Sequence, residues 1–219
     1  MRYIDIKFKI NPEVQELGIN VCMAIIRDAN IVNKNASLEK IKKEIGTRLQ
    51  TLETSNSKIL QGYRELYDKI GINAIPPAET LINFIKNGWR LPNINTIMDC
   101  YNLVSAETLI SIGAHDTSQI KGNIRFIITE GSERYTPLGQ NDPIKVQKGE
   151  YACMDEEKIL CRMDIKQCNE TKITKDTKEF MIYVQGNKNV DSDYLQEILQ
   201  KVCNLIKKIC GGDYQVIKP

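Results

Sequence analysis

The chain has 219 residues, of which 42% are hydrophobic and 26% charged, enough apolar material for one large or two small buried cores and unlike a disordered chain. Thirty basic against 28 acidic residues leave a formal net charge of +2, so the basic excess of a non-specific nucleic-acid binder is missing and any RNA contact has to use a local patch. The seven cysteines contain no C-x-x-C pair, the single His115 has no ligand-spaced partner, the start MRYIDIKFKINP has no apolar signal core, and no apolar run reaches the ~20 residues of a membrane span; the expectation is a cytoplasmic protein with reduced core thiols, no metal, no organic cofactor and no membrane partner.

Ile4, Ile6, Phe8 and Ile10 alternate with polar residues and predict a half-buried strand, ended by Asn11-Pro12. The run from Ile19 to Ile26 predicts a second, buried strand. Ser37 is a helix cap, and Leu38, Ile41, Ile45, Leu49 and Leu52 stripe the helix that follows; Gly46 weakens it by about 1 kcal/mol relative to Ala. Ile59, Leu60, Tyr63, Leu66, Tyr67 and Ile70 stripe a second helix, closed by Gly71. The two are expected as an antiparallel pair over the first strands.

Pro76-Pro77 starts a third helix with Leu81, Ile82 and Ile85 on its apolar face. Ile94, Ile97, Met98, Tyr101 and Val104 mark a fourth, after which Gly113 and the polar stretch His115 to Gln119 predict a loop. Beyond Gly122 the pattern turns to strands: Asn123 to Thr129, a hairpin of Glu150 to Met154 and Lys158 to Met163 around Asp155-Glu156-Glu157, and Glu179 to Gln185. A last helix is striped by Leu195, Ile198, Leu199, Val202, Leu205, Ile206 and Ile209. Helix stripes before Gly122 and hairpins after it predict an α/β (α+β) fold in one compact domain, with mixed or antiparallel sheets and packed helices.

There is no phosphate loop and no dinucleotide fingerprint. A Ser-His-Asp site would have to use His115, and the side chains of His115 and Asp116, adjacent in sequence, diverge. His115 reads as an ordinary loop residue or as the wall of a pocket. Lys172, Lys175 and Lys178 interleave with Thr171, Thr174 and Thr177; this is a solvated edge or a phosphate-contacting ridge. Asp99 and Asn102, three apart, share a helical face.

The segment LPNINTIMDCYNLVSAETLISIGAHDTSQIKGNIRFIITEGSERYTPLG resembles the B3/B4 module, the third and fourth structural units of the bacterial phenylalanyl-tRNA synthetase beta chain. The matching features are Asn93-Ile94, the Asp-x-x-Asn of Asp99 and Asn102, Ser105, Glu107, Gly113 and Asp116, with Gly122 and Arg125 in step. Tyr63-Arg64 ahead of Gly71, PPAETL at Pro76 to Leu81, ILCR at Ile159 to Arg162 and TKITKDTK at Thr171 to Lys178 resemble free-standing members of the family. The matches span roughly residues 58 to 186. They imply a core over 58–190, an N-terminal extension of strands and helix over 1–57 and a C-terminal helix over 191–219. Two positions depart from the bacterial pattern: Gly113 stands where the family carries a histidine, and Tyr101 where it has Thr.

The resemblance implies a tRNA quality-control role: in the synthetase the module hydrolyses tRNA for phenylalanine wrongly charged with tyrosine, and a free-standing copy, which is not a complete synthetase, would act as a deacylase on mischarged aminoacyl-tRNA in trans. The partners would be a tRNA acceptor end and an aminoacyl ester or amino acid. Asn102 and the backbone near Gly113 would hold the ester and ribose, with His115 and Glu107 as further catalytic candidates; Glu107 reads equally as a structural helix residue. Asn95, Asp99, Tyr101, Ala114 and Asp116 would line the substrate site. Arg162, Lys172, Lys175 and Lys178 would meet the tRNA backbone. The competing classes are a binding module without hydrolysis and a structural partner of another translation protein.

Overall fold

The computed structural model of the chain describes residues 6–218; Ile4, expected to open the first strand, lies outside them. The elements run β1 (Phe8–Ile10), α1 (Pro12–Gln15), β2 (Asn20–Arg27), α2 (Ala36–Leu49), α3 (Lys58–Lys69), α4 (Pro77–Lys86), α5 (Thr96–Thr108), β3 (Ser111–Asp116), β4 (Ile124–Ile128), β5 (Tyr151–Met154), β6 (Ile159–Arg162), β7 (Lys166–Gln167), β8 (Glu179–Gly186), α6 (Ser192–Cys210) and β9 (Asp213–Ile217).

Two sheets form. One has the order β3-β8-β2-β9 and is antiparallel throughout. The other has the order β1-β4-β5-β6-β7, antiparallel except for the parallel pair β1 and β4. The fold is therefore α+β with one antiparallel and one mixed sheet, as the hairpin signals and helix stripes imply.

The alternation of side chains along a strand sets the layering. In β2, Ala24 and Ile26 face one core while Met23 and Ile25 face another; in β8, Phe180, Ile182 and Val184 are divided in the same way from Met181 and Tyr183. Strands β2, β3 and β8 of the four-stranded sheet are thus largely buried on both sides, while the edge strand β9 is partly exposed. Helices α2, α4, α5 and α6 cover one face, and the second sheet and α3 cover the other. Leu195, Ile198, Leu199, Val202 and Ile206 of α6 are all buried against the first core, each worth about 1.5–3 kcal/mol relative to exposure.

Three expectations are corrected. Helices α2 and α3 are not a pair over the first strands: Leu38 and Leu49 of α2 enter the helix-covered core, Tyr63, Leu66 and Tyr67 of α3 the other one. Residues Gly113 to Asp116 are not a loop but the middle and end of β3, paired residue for residue with β8; only Thr117–Gln119 leaves the sheet, as a short 3-10 turn. The chain does not finish on a helix, because β9 follows Gly211-Gly212 and pairs with β2. All seven cysteines are free, six of them buried. Among the described residues no helix is long and apolar enough to cross a membrane.

Candidate functional site

Helix α5 begins at Asn95, whose Oδ1 accepts from the amides of Ile97 (3.1 Å) and Met98 (2.9 Å). Its Nδ2 donates to the Ile173 carbonyl at 3.5 Å. Asp99, one turn on, is buried and accepts from the Ile94 amide at 2.9 Å and from Lys42 Nζ at 3.0 Å. The Lys42 ammonium is itself buried and also donates to the Pro92 carbonyl (3.0 Å) and Asn93 Oδ1. Asn95 and Asp99 therefore build the start of α5 and tie it to α2. Glu107, near the other end of α5, pairs with Arg48 of α2 and with Lys201 of α6 (2.6 Å), which is the structural role open to it. Asn102 is half-buried and its amide has no hydrogen-bond partner among the described residues. Tyr101 is buried, and burial raises its pKa.

Strand β3 presents its residues to both cores. Ala114 faces the helices. On the other side Gly113 stands directly opposite Tyr183 of β8. His115 is fully buried, stacked parallel to the Tyr183 ring at 6.0 Å, with Nδ1 2.7 Å from Thr171 Oγ1 and no partner at Nε2 among the described residues. Burial, helped by the Lys158 ammonium, pulls its pKa down to about 3, so the ring is neutral at physiological pH. Asp116 ends the strand, accepting from the Ser118 amide (2.9 Å) and hydroxyl (2.6 Å) and from Thr177 Oγ1 (2.6 Å).

Residues 168–178 form a strap over the end of β3 and the start of α5. Its inward groups hold it down: Thr171 at His115 and, from the same oxygen, at Cys168 Sγ (2.9 Å); Ile173 at Asn95; Thr177 at Asp116. Its outward groups, Lys172, Lys175 and Lys178, are exposed and form no ion pair among the described residues; Lys172 donates to Asn169 Oδ1 at 3.1 Å. Thr171 and Thr177 of this segment are thus buried and Thr174 half-buried, while the three lysines between and beyond them are exposed. Arg162 does not join them. It is buried in a bidentate pair with Glu150 (2.7 and 2.5 Å) and lies 5.3 Å from the Tyr135 ring centre.

The structure brings together one polar group that sequence patterns do not reveal. Asp164 accepts from Tyr67 (2.8 Å), Tyr151 (2.5 Å) and the Ser111 hydroxyl, and Gln185 donates to the Tyr151 hydroxyl at 3.1 Å. These residues come from α3, both sheets and the β6–β7 turn, separated by up to 118 positions between Tyr67 and Gln185. Burial first, and then the Asp164 charge, raises the Tyr151 pKa well above its usual value. The cluster joins the two sheets at the start of β3. No group of three or more His, Cys, Asp or Glu side chains among the described residues is placed to hold a metal ion.

The comparisons with known proteins bear on this arrangement. Among curated proteins none matches the chain. A crystal structure of an N-terminal fragment of the phenylalanyl-tRNA synthetase beta-subunit from Pyrococcus horikoshii matches with a TM-score of 0.55 at 14% sequence identity. The match covers 97% of this chain and 51% of that one, so the chain spans about half the length of the fragment. At that identity the likeness shows a shared fold. The B3/4 domain family matches residues 67–211, from the end of α3 to the end of α6 and so across the whole of α5, β3 and the strap. With more than half of its length matched, this chain belongs to the B3/4 domain family.

Proposed function

We propose that this protein binds tRNA, and that the strap over β3 and α5 is part of the contact. The observation that carries the reading is the strap's construction. Thr171, Ile173 and Thr177 are fixed to buried partners, so Lys172, Lys175 and Lys178 stand on anchored backbone in a chain whose overall charge offers no general attraction. An anchored row of ammonium groups suits a phosphate backbone. Membership of the B3/4 family and the fold shared with a tRNA synthetase subunit support tRNA as the nucleic acid. Binding without hydrolysis at His115 is the reading supported here, because the imidazole is fully buried and burial holds its pKa well below neutrality, which makes it a poor general base at physiological pH.

The test is a tRNA-binding titration over a range of salt. Changing Lys172, Lys175 and Lys178 to Ala should weaken binding and flatten the salt dependence by about 0.7–0.9 in log–log slope for each phosphate no longer neutralised. Unchanged affinity and slope in the triple variant, with wild type binding measurably, would remove the strap from the interface. No binding at low salt would remove the reading altogether.

A second reading, deacylation of a mischarged aminoacyl-tRNA, is favoured by one feature. Asn102 of α5 keeps an amide at a half-buried position that is unpartnered among the described residues, free to hold an ester or ribose oxygen.

A further inference from the structure

A groove of about 710 Å³ runs between α2 and the segment from the end of α4 to the start of α5, within the ~300–1,000 Å³ range of ligand sites. Its walls are basic. Lys34, Lys40, Lys43 and Arg90 line it, are exposed, and form no ion pair or side-chain hydrogen bond among the described residues. The acidic residue on the wall, Glu39, pairs with Lys42, which also answers Asp99. Four uncompensated cations in one groove contrast with the chain's net charge of +2.

Two further features set the groove apart from a solvated helix face. Trp89 lines it at 63% exposure, and its neighbour Phe84 is 40% exposed with ring centres 5.8 Å apart. Leaving a large aromatic pair in water is unfavourable unless something covers it. Gly46, in the last turn of α2, lines the groove, and a Cβ built on it would meet nothing within 4 Å. The glycine weakens the helix and leaves open space on the groove wall, with no internal packing that requires it.

Cations for phosphates, an exposed indole for a base and a concave surface are the means by which proteins hold unpaired nucleic acid. An acidic peptide would use the cations and leave the indole idle. A membrane surface would meet a protruding aromatic rather than one beside a groove. We infer that this groove binds a single-stranded nucleic-acid segment, with phosphates on Lys40, Lys43, Lys34 and Arg90 and a base against Trp89. The inference rests on the nucleic-acid-binding reading above and adds a second contact to it. The two basic surfaces meet at one stretch of chain, since Asn93 lines the groove while Asn95 touches the strap.

Trp89 is the only tryptophan in the sequence, so its fluorescence reports on the groove alone. The full chain is titrated with a short single-stranded RNA, and separately with tRNA, following both Trp89 emission and the anisotropy of labelled RNA. Saturable quenching is expected. Lys40→Ala/Lys43→Ala should weaken it at least tenfold and reduce the salt slope by about 1.4, two phosphates at ~0.7 each. Gly46→Phe should block it by filling the groove, in a helix that accepts the side chain without a clash. Anisotropy that shows binding while Trp89 stays silent overturns the inference, as do a Gly46→Phe variant that binds normally and equal quenching by polyglutamate. If tRNA binding depends on Lys172, Lys175 and Lys178 but not on Gly46 or Trp89, the groove falls and the strap stands. tRNA binding that, by quenching and by anisotropy alike, survives loss of the strap lysines but not Gly46→Phe upholds the groove and removes the strap.

Discussion

Gly113 and Tyr183 face each other across β3 and β8, and the tyrosine ring lies where a side chain at 113 would go: a Cβ there would be 2.7 Å from both Cζ and the hydroxyl oxygen. The ring cannot readily move aside. It stacks on His115 and is met edge-on by Phe126 at 5.9 Å. The glycine is therefore what admits the ring, and the place equated by family resemblance with a histidine holds no open space.

Gly113→Val should accordingly act through the fold rather than by filling a substrate pocket. Overpacking of this kind costs typically about 1–3 kcal/mol, read as a lower urea midpoint with little change of slope. Pairing Gly113→Ala with Tyr183→Leu should recover part of the loss, because the two side chains compete for the same volume. If Gly113→Val folds as stably as wild type, the tight opposition of 113 and 183 is wrong.

His115 makes stability depend on pH in a defined direction. The unfolded imidazole titrates near 6.5, the folded one near 3. Above pH 6.5 neither state is protonated and the folded state has its full stability. As pH falls below 6.5 the unfolded chain takes up a proton that the folded chain refuses, and stability drains by up to about 1.4 kcal/mol per pH unit until about pH 3. His115→Asn should lose stability less steeply than wild type between pH 6.5 and 5, the carboxylates being common to both. Parallel curves from denaturant titrations across that range would show that the ring is protonated in the folded state.

The elements that sequence makes legible are those whose signal is local. The stripe of α6, the stripe of α3 and the apolar runs of β2 and β8 all declare themselves within a few residues, and so do the motifs that resemble the B3/B4 module. What stays hidden depends on distant partners. β3 reads Ser-Ile-Gly-Ala-His-Asp, with little of the β-branched character of a strand; it is a strand because β8, some 70 positions away, pairs with it and Tyr183 needs its glycine. Lys42 looks like one more solvated lysine beside Lys40 and Lys43, yet Asp99 draws it inside. Arg162 looks like a free cation until Glu150 is seen. In each case a charged or small residue owes its burial to a contact that the chain's own periodicity does not encode.

The Lys42–Asp99 pair, with side chains 6% and 2% exposed, gives a third prediction. Lys42→Met should be strongly destabilising, by about 3–5 kcal/mol, because it leaves the Asp99 carboxylate buried with one amide donor and no cation. The double change Lys42→Met/Asp99→Leu should cost less than that single change, since it removes the stranded charge. Thermal or denaturant unfolding decides it; a Lys42→Met variant within about 0.5 kcal/mol of wild type, the range of an ordinary surface substitution, would mean that the pair contributes little.

Asn102 separates the two functional readings. Its amide is unpartnered among the described residues, so Asn102→Ala strands no buried polar group and should stay within about 0.5 kcal/mol of wild-type stability. If the chain only binds tRNA, the wild-type protein leaves every member of a panel of mischarged aminoacyl-tRNAs intact, at concentrations where binding saturates. If it hydrolyses one of them, Asn102→Ala should slow that reaction on the order of 100-fold, the cost of losing one transition-state donor in other enzymes. His115→Asn should then leave the rate nearly unchanged, and the rate should show no inflection from an imidazole between pH 6 and 7, because His115 stays neutral well below that range. A neutral-pH inflection that disappears in His115→Asn would contradict the buried, unprotonated ring. Hydrolysis that survives Asn102→Ala at the wild-type rate would place the reacting ester away from α5.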